Sequence, residues 1–191
     1  MKKYITLFLS IFLAMSLTAC GNKTDSPDAA GKAEIKDAKE LLATVWNSYE
    51  EDEKFAVAGG DMTEENMTED APGTFGITDA DELDRMLGFP ASDADKIDGA
   101  ASIMHMMNAN TFTCGVYHLK NAEDVETVAA DIKENVMNRQ WMCGFPDKLV
   151  VISVDDYLVS VFGDEELVNT FKDKLTQTYE NAKVISEDGI V

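Results

Sequence analysis

The chain has 191 residues, a hydrophobic fraction of 45% and a formal charge of −20. That hydrophobic share suits a globular domain and argues against general disorder. So acidic a chain repels nucleic acid and anionic lipid headgroups, and is left with cations or basic partners.

Residues 1–4 are basic, and 5–16 form an apolar run. The run is too short to cross a bilayer as a helix, which needs about twenty residues. Leu17-Thr18-Ala19-Cys20 follows. Basic start, apolar run, small residues and cysteine, in that order, resemble the signal peptide and lipobox of bacterial lipoproteins. The resemblance implies that 1–19 are removed and that Cys20 carries a diacylglycerol. It implies anchoring on the outer face of the cytoplasmic membrane, where two acyl chains hold firmly and one does not. Losing Lys2 and Lys3, with no acid among the first nineteen residues, takes the charge from −20 to −22. Residues 20–33 are polar and small and read as a flexible tether. Residues 34–191 read as one α+β domain with its core at 97–186.

Within that domain, 34–49 has helical periodicity, with Ile35, Ala38, Leu41, Leu42, Val45, Trp46 and Tyr49 on one face. A short strand is predicted at 55–57, ended by Gly59-Gly60. Residues 61–76 read as a loop with five carboxylates, Asp61, Glu64, Glu65, Glu69 and Asp70. The EF-hand spacing is missing, so a solvated loop is preferred and calcium stays open. A helix is expected at 78–87, capped by Thr78 and stopped by Gly88 and Pro90.

Residues 103–119 read as a β-hairpin turning at Asn108-Ala109-Asn110, followed by a helix at 122–139 after Asn121. A second hairpin at 149–162 turns at Asp155-Asp156, and Asp164 can cap a helix at 165–179. Residues 182–186 add a last strand. The hairpin–helix order occurs twice, as a repeat of pattern without a repeated motif. The predicted fold is therefore two-layer α+β: an antiparallel sheet of two ββα units plus the N-terminal helix. A two-residue turn in the second hairpin puts Val150, Ile152, Val154, Tyr157, Val159 and Val161 on one face. Leu149, Val151, Leu158 and Phe162 then fall on the other with Ser153 and Ser160. Both faces are largely apolar, so the second face needs a cover too: the N-terminal helix, a second subunit or a partner.

Chemistry has few places to sit. The chain has two histidines and three cysteines. A hairpin loop of two or four residues would set His105 opposite Cys114. With Cys143 these would make a soft-metal or thiol-active site, suited to copper(I) or zinc. No C-x-x-C or H-x-x-x-H spacing supports it, strand methionines are mostly core filler, and no cofactor motif is present. Cys114 and Cys143 would close a loop of about thirty residues, worth roughly 3–4 kcal/mol if bridged. Buried free thiols are the other reading. Trp141, Met142 and Phe145 either plug one end of the sheet or form a partner surface.

Residues 40–61, with Met107-Asn108-Ala109-Asn110-Thr111-Phe112 and the stretch 138–146, resemble small lipoproteins of unknown function from anaerobic Gram-positive bacteria. That resemblance brings no catalytic residues. It implies a single-membrane, surface-exposed setting short of periplasmic disulfide machinery, which weighs against the Cys114–Cys143 bridge. The expected role is a non-catalytic binding or protein-interaction module, with a protein partner or homodimer and no nucleic acid.

Overall fold

A computed structural model describes residues 35–142 and 144–190. The predicted signal peptide, the tether with Cys20, and Cys143 lie outside them. The described chain runs α1 (Ala38–Asn47), β1 (Val57–Gly59), β2 (Thr68–Glu69), β3 (Gly73–Phe75), α2 (Ala80–Leu87), β4 (Ile97–His105) and β5 (Phe112–Leu119). It continues through α3 (Val125–Met137), β6 (Lys148–Val154), β7 (Tyr157–Gly163), α4 (Glu165–Thr178) and β8 (Lys183–Gly189).

Local chemistry sets the helix ends. Asp37 caps α1 by accepting from the Glu40 N–H, and Asp164 caps α4 by accepting from the Glu166 N–H. The cap of α2 is Asp79, which accepts from the Glu82 N–H, one residue beyond the predicted Thr78. Gly88 ends α2 in the left-handed conformation, φ 70°.

The strands form one antiparallel sheet in the order β2-β1-β4-β5-β7-β6-β8, and β3 shares the outer edge of β4 with β1. Val154 pairs with Tyr157, so the second hairpin has the two-residue Asp155-Asp156 turn that its pattern requires. Its two predicted faces follow. The odd–even split sends Val150, Ile152, Val154, Val159 and Val161 into one buried cluster, and Leu149, Val151, Leu158 and Phe162 into the other.

The layering differs from the two layers predicted. α1 and α4 cover one face through Leu41, Leu42, Val45, Val168, Phe171 and Leu175. α2 and α3 cover the other through Leu83, Leu87, Val128, Ala129, Ile132 and Val136. Connection geometry explains the third layer. β5 and β6 are parallel with β7 between them; β7 and β8 are parallel with β6 between them. Both crossovers step the same way across the sheet, yet they start from antiparallel strands. Two crossovers of one hand must then put α3 and α4 on opposite faces, and strand twist fixes that hand. A rotation that superposed the two hairpins would leave both helices on one face, so the ββα repeat is one of element order only. Both clusters draw on residues within 35–190, and Glu34–Val191 makes a compact unit with its own core.

Candidate functional site

The first hairpin has a longer loop than the two or four residues predicted, and its turn is centred one residue earlier. Asn108 accepts from the Asn110 N–H through its side chain (3.0 Å) and from the Thr111 N–H through its carbonyl (3.0 Å), making a short helical turn. Six residues, 106–111, separate the strands, and Cys114 pairs with Ile103. The predicted His105–Cys114 pairing is therefore corrected: His105 lies two residues farther along β4.

That strand end opens a groove of about 420 Å³. Six of the ten methionines in the sequence line it: Met62, Met67, Met86, Met104, Met106 and Met107. They come from the loop before β2, from α2, and from the end of β4. Met104 is buried, but Met62, Met67, Met106 and Met107 are 44%, 46%, 49% and 82% exposed. Core-filling methionines are buried, so these four are not filler. Glu69 is on the wall, and among the described residues no lysine or arginine lines the groove.

The apolar surface continues past the turn. Asn110 Nδ2 donates to the carbonyls of Met142 (2.9 Å) and Gly144 (3.1 Å), tying the 141–146 connection to the groove. Met142 and Phe145 are 79% and 73% exposed. Trp141 is half-buried against Phe162, ring centroids 5.3 Å apart, with the Arg139 guanidinium 5.4 Å from its centroid. Trp141 therefore plugs the sheet end, while Met142 and Phe145 face solvent. Among the described residues seven large hydrophobic side chains are exposed: four line the groove, and Met142 and Phe145 sit on the connection that Asn110 holds beside the same turn.

The loop bearing Met62 and Met67 is held from below. Asp61 is buried and accepts from Thr63 N–H (3.1 Å), Thr63 Oγ1 (2.6 Å), Asn66 Nδ2 (2.7 Å) and Gly76 N–H (2.9 Å). Burial alone would raise its pKa; these four donors outweigh burial and hold it below the usual carboxylate value. Gly60 sits at φ 95°, and a Cβ there would strike the Asn66 carbonyl. Ser102 Oγ accepts from the Gly60 N–H and donates to its carbonyl, both at 3.0 Å. Asp61 thus faces inward and organises the loop. Glu64, Glu65, Glu69 and Asp70 remain exposed around it.

The predicted soft-metal set is not assembled by the described residues. His105 Nδ1 accepts from the Met107 N–H (3.2 Å), and the ring stacks on Phe55, centroids 5.6 Å apart and 14° between planes. A neutral imidazole accepting at Nδ1 carries its proton on Nε2, so neither nitrogen offers a lone pair. Cys114 is a free thiol, wholly buried beneath α1 and α4, and burial pushes its pKa well up. Both metal ligation and nucleophilic attack need the thiolate that this environment opposes. The other half of the proposed bridge, Cys143, lies outside the described residues. Among the described residues no three His, Cys, Asp or Glu side chains are grouped to hold a metal.

His118 is at the opposite end of β5. Nδ1 contacts Asp98 Oδ1, and Nε2 lies 3.2 Å from Asp156 Oδ2. Partial burial works against its charge, but the two carboxylates prevail and raise its pKa. The ring clips the start of β4 to the β6–β7 turn, and neither nitrogen is free to serve a nucleophile.

Sequence reasoning placed His105, Met104, Met106 and Met107 in one stretch but missed Met62, Met67 and Met86. The available signal was the methionine count itself. No helix among the described residues is long and apolar enough to cross a membrane. Comparison with models of known protein families, with curated proteins and with solved structures finds no match to this chain.

Proposed function

We propose that this chain is a lipid-anchored binding protein of the outer face of the cytoplasmic membrane, tethered through Cys20, with the methionine groove as its ligand-facing surface. The convergence of six methionines, four of them exposed, carries the reading. An unbranched thioether side chain has three rotatable bonds and a polarizable sulfur, so a methionine wall reshapes around different apolar ligands. The groove volume falls in the range of ligand sites, roughly 300–1,000 Å³. Met142 and Phe145 extend the surface and support a protein-interaction role. The non-catalytic part of the reading is supported by the two histidines, whose ring nitrogens are engaged at Met107, Asp98 and Asp156 or protonated. The competing reading, a soft-metal or thiol-active lipoprotein using His105, Cys114 and Cys143, gains nothing from the burial of Cys114.

Two measurements test the proposal. In cells fed a clickable fatty acid, the wild type takes up label and sediments with membranes, and Cys20→Ser takes up none. Label retained by Cys20→Ser contradicts the anchor. For the groove, the fluorescence of the uncharged apolar probe N-phenylnaphthylamine rises on adding the protein, and Met106→Asp/Met107→Asp abolishes the rise. An unchanged rise contradicts the groove.

A further inference from the structure

We propose that the groove's occupant is a cationic amphipathic peptide segment, with an apolar side chain among the methionines and lysine or arginine on the neighbouring carboxylates. The proposal rests on the binding-groove reading above and adds the chemistry of the ligand.

Charge makes the choice. Glu64 and Glu65 lie between Met62 and Met67 in the loop before β2, Glu69 ends β2 and lines the groove, and Asp70 follows it; all four are exposed. Among the described residues none of their carboxylates has a cation or a hydrogen-bond donor. Elsewhere on the surface many acids are matched: Glu40 with Lys36, Glu53 with Lys174, Asp188 with Lys133, Glu187 with Lys172. Among the described residues the groove has no cation in its own wall. A smaller adjoining cavity of about 200 Å³ shares Met86, Met104 and Ala109 with the groove and includes Arg85 and Arg139. Both arginines are already neutralised, Arg85 by Glu82 at 3.0 Å and Arg139 by Asp84 at 3.1 Å. The open surface therefore offers apolar, polarizable contact beside uncompensated negative charge.

That combination discriminates between occupants. A second copy would bring another acidic rim and, from a chain of net charge −20, long-range repulsion. An uncharged small molecule would leave the carboxylates uninvolved. A peptide helix or turn with apolar anchors at i and i+3 or i+4, flanked by lysine or arginine, engages both parts of the surface. Methionine adaptability makes such recognition tolerant of sequence, with charge steering the encounter.

The test uses residues 34–191 with isotope-labelled methionine methyl groups, titrated with three probes. These are a Lys/Leu amphipathic peptide, a Glu/Leu peptide of the same apolar pattern, and N-phenylnaphthylamine. The Lys/Leu peptide should shift the methyls of Met62, Met67, Met106 and Met107, bind about tenfold or more tighter than the Glu/Leu peptide, and weaken as salt rises. Replacing Glu64, Glu65 and Glu69 by Gln, exposed positions without partners, should lower that affinity about tenfold and flatten the salt dependence. Equal binding of the two peptides overturns the inference. So does a response to N-phenylnaphthylamine with the Lys/Leu peptide silent, a result that leaves the groove standing as an apolar site. If no probe moves these methyls, the groove reading falls as well.

Discussion

Asp61 shows how one side chain positions a site without belonging to it. Four donors converge on its carboxylate; a hydrogen bond to a charged group contributes roughly 1.5–3 kcal/mol net, and the cost of burying the carboxylate offsets part of the sum. Asp61→Ala should lower unfolding free energy by about 2–3 kcal/mol in urea titration. Because the folded pKa lies below its usual value of 3.8, this contribution is present above that value and disappears as pH falls through the folded pKa. His118 has the opposite sign. Its pKa is raised from 6.5, so its contribution is complete below that pH and is lost as pH rises through the folded value. The stability gap between wild type and His118→Gln should therefore be widest below pH 6.5 and narrow as pH rises through the raised folded pKa, which paired melts across pH will read. Cys114 should stay silent to a thiol reagent in the native protein and react on unfolding. The sequence pointed to His105 and Cys114 as chemistry-bearing types, but their spacing depended on a turn that the Asn108 side chain recentres. A one-residue change in loop centre moved His105 away from the thiol.

At the scale of elements, the second hairpin was legible because its two-residue turn leaves one register open to it. Its apolar residues then sort themselves onto two faces. The helix stripes were legible for the same reason of periodicity: Leu41, Leu42, Val45, Val128, Ile132, Phe171 and Leu175 are all buried. The three short strands β1, β2 and β3 were not fully legible. At two or three residues each they carry no periodicity, and close backbone approach defines them instead. Glycines make that approach feasible: a Cβ on Gly59 would collide with the Gly73 backbone, and Gly60 needs positive φ. Gly60→Ala should cost on the order of 2 kcal/mol or more. Its methyl spectrum should show Met62 and Met67 displaced and Met137, on α3, unchanged. The placement of α3 and α4 on opposite faces was derivable once strand order was known, but strand order was not readable from the chain. The groove escaped for a related reason, since it joins methionines that lie up to forty-five residues apart.

For the whole molecule, charge and covered faces point the same way. Helices shield both sheet faces, and the long edge strand β8 (Lys183–Gly189) carries Lys183, Glu187 and Asp188, which discourage edge pairing. Among the described residues the exposed large hydrophobic side chains gather at the methionine end, Val184 on β8 excepted, and unpaired carboxylates there oppose a second copy. Residues 34–191 should therefore sediment as a monomer at physiological salt; a dimer that persists there would contradict this account of the surface. The most direct test of the central claim is the methionine methyl spectrum of that domain titrated with N-phenylnaphthylamine. The account predicts that the methyls of Met62, Met67, Met86, Met104, Met106 and Met107 move together and saturate with a single affinity, while Met137 stays in place. Uniform small shifts that include Met137, or no shifts at all, would contradict it.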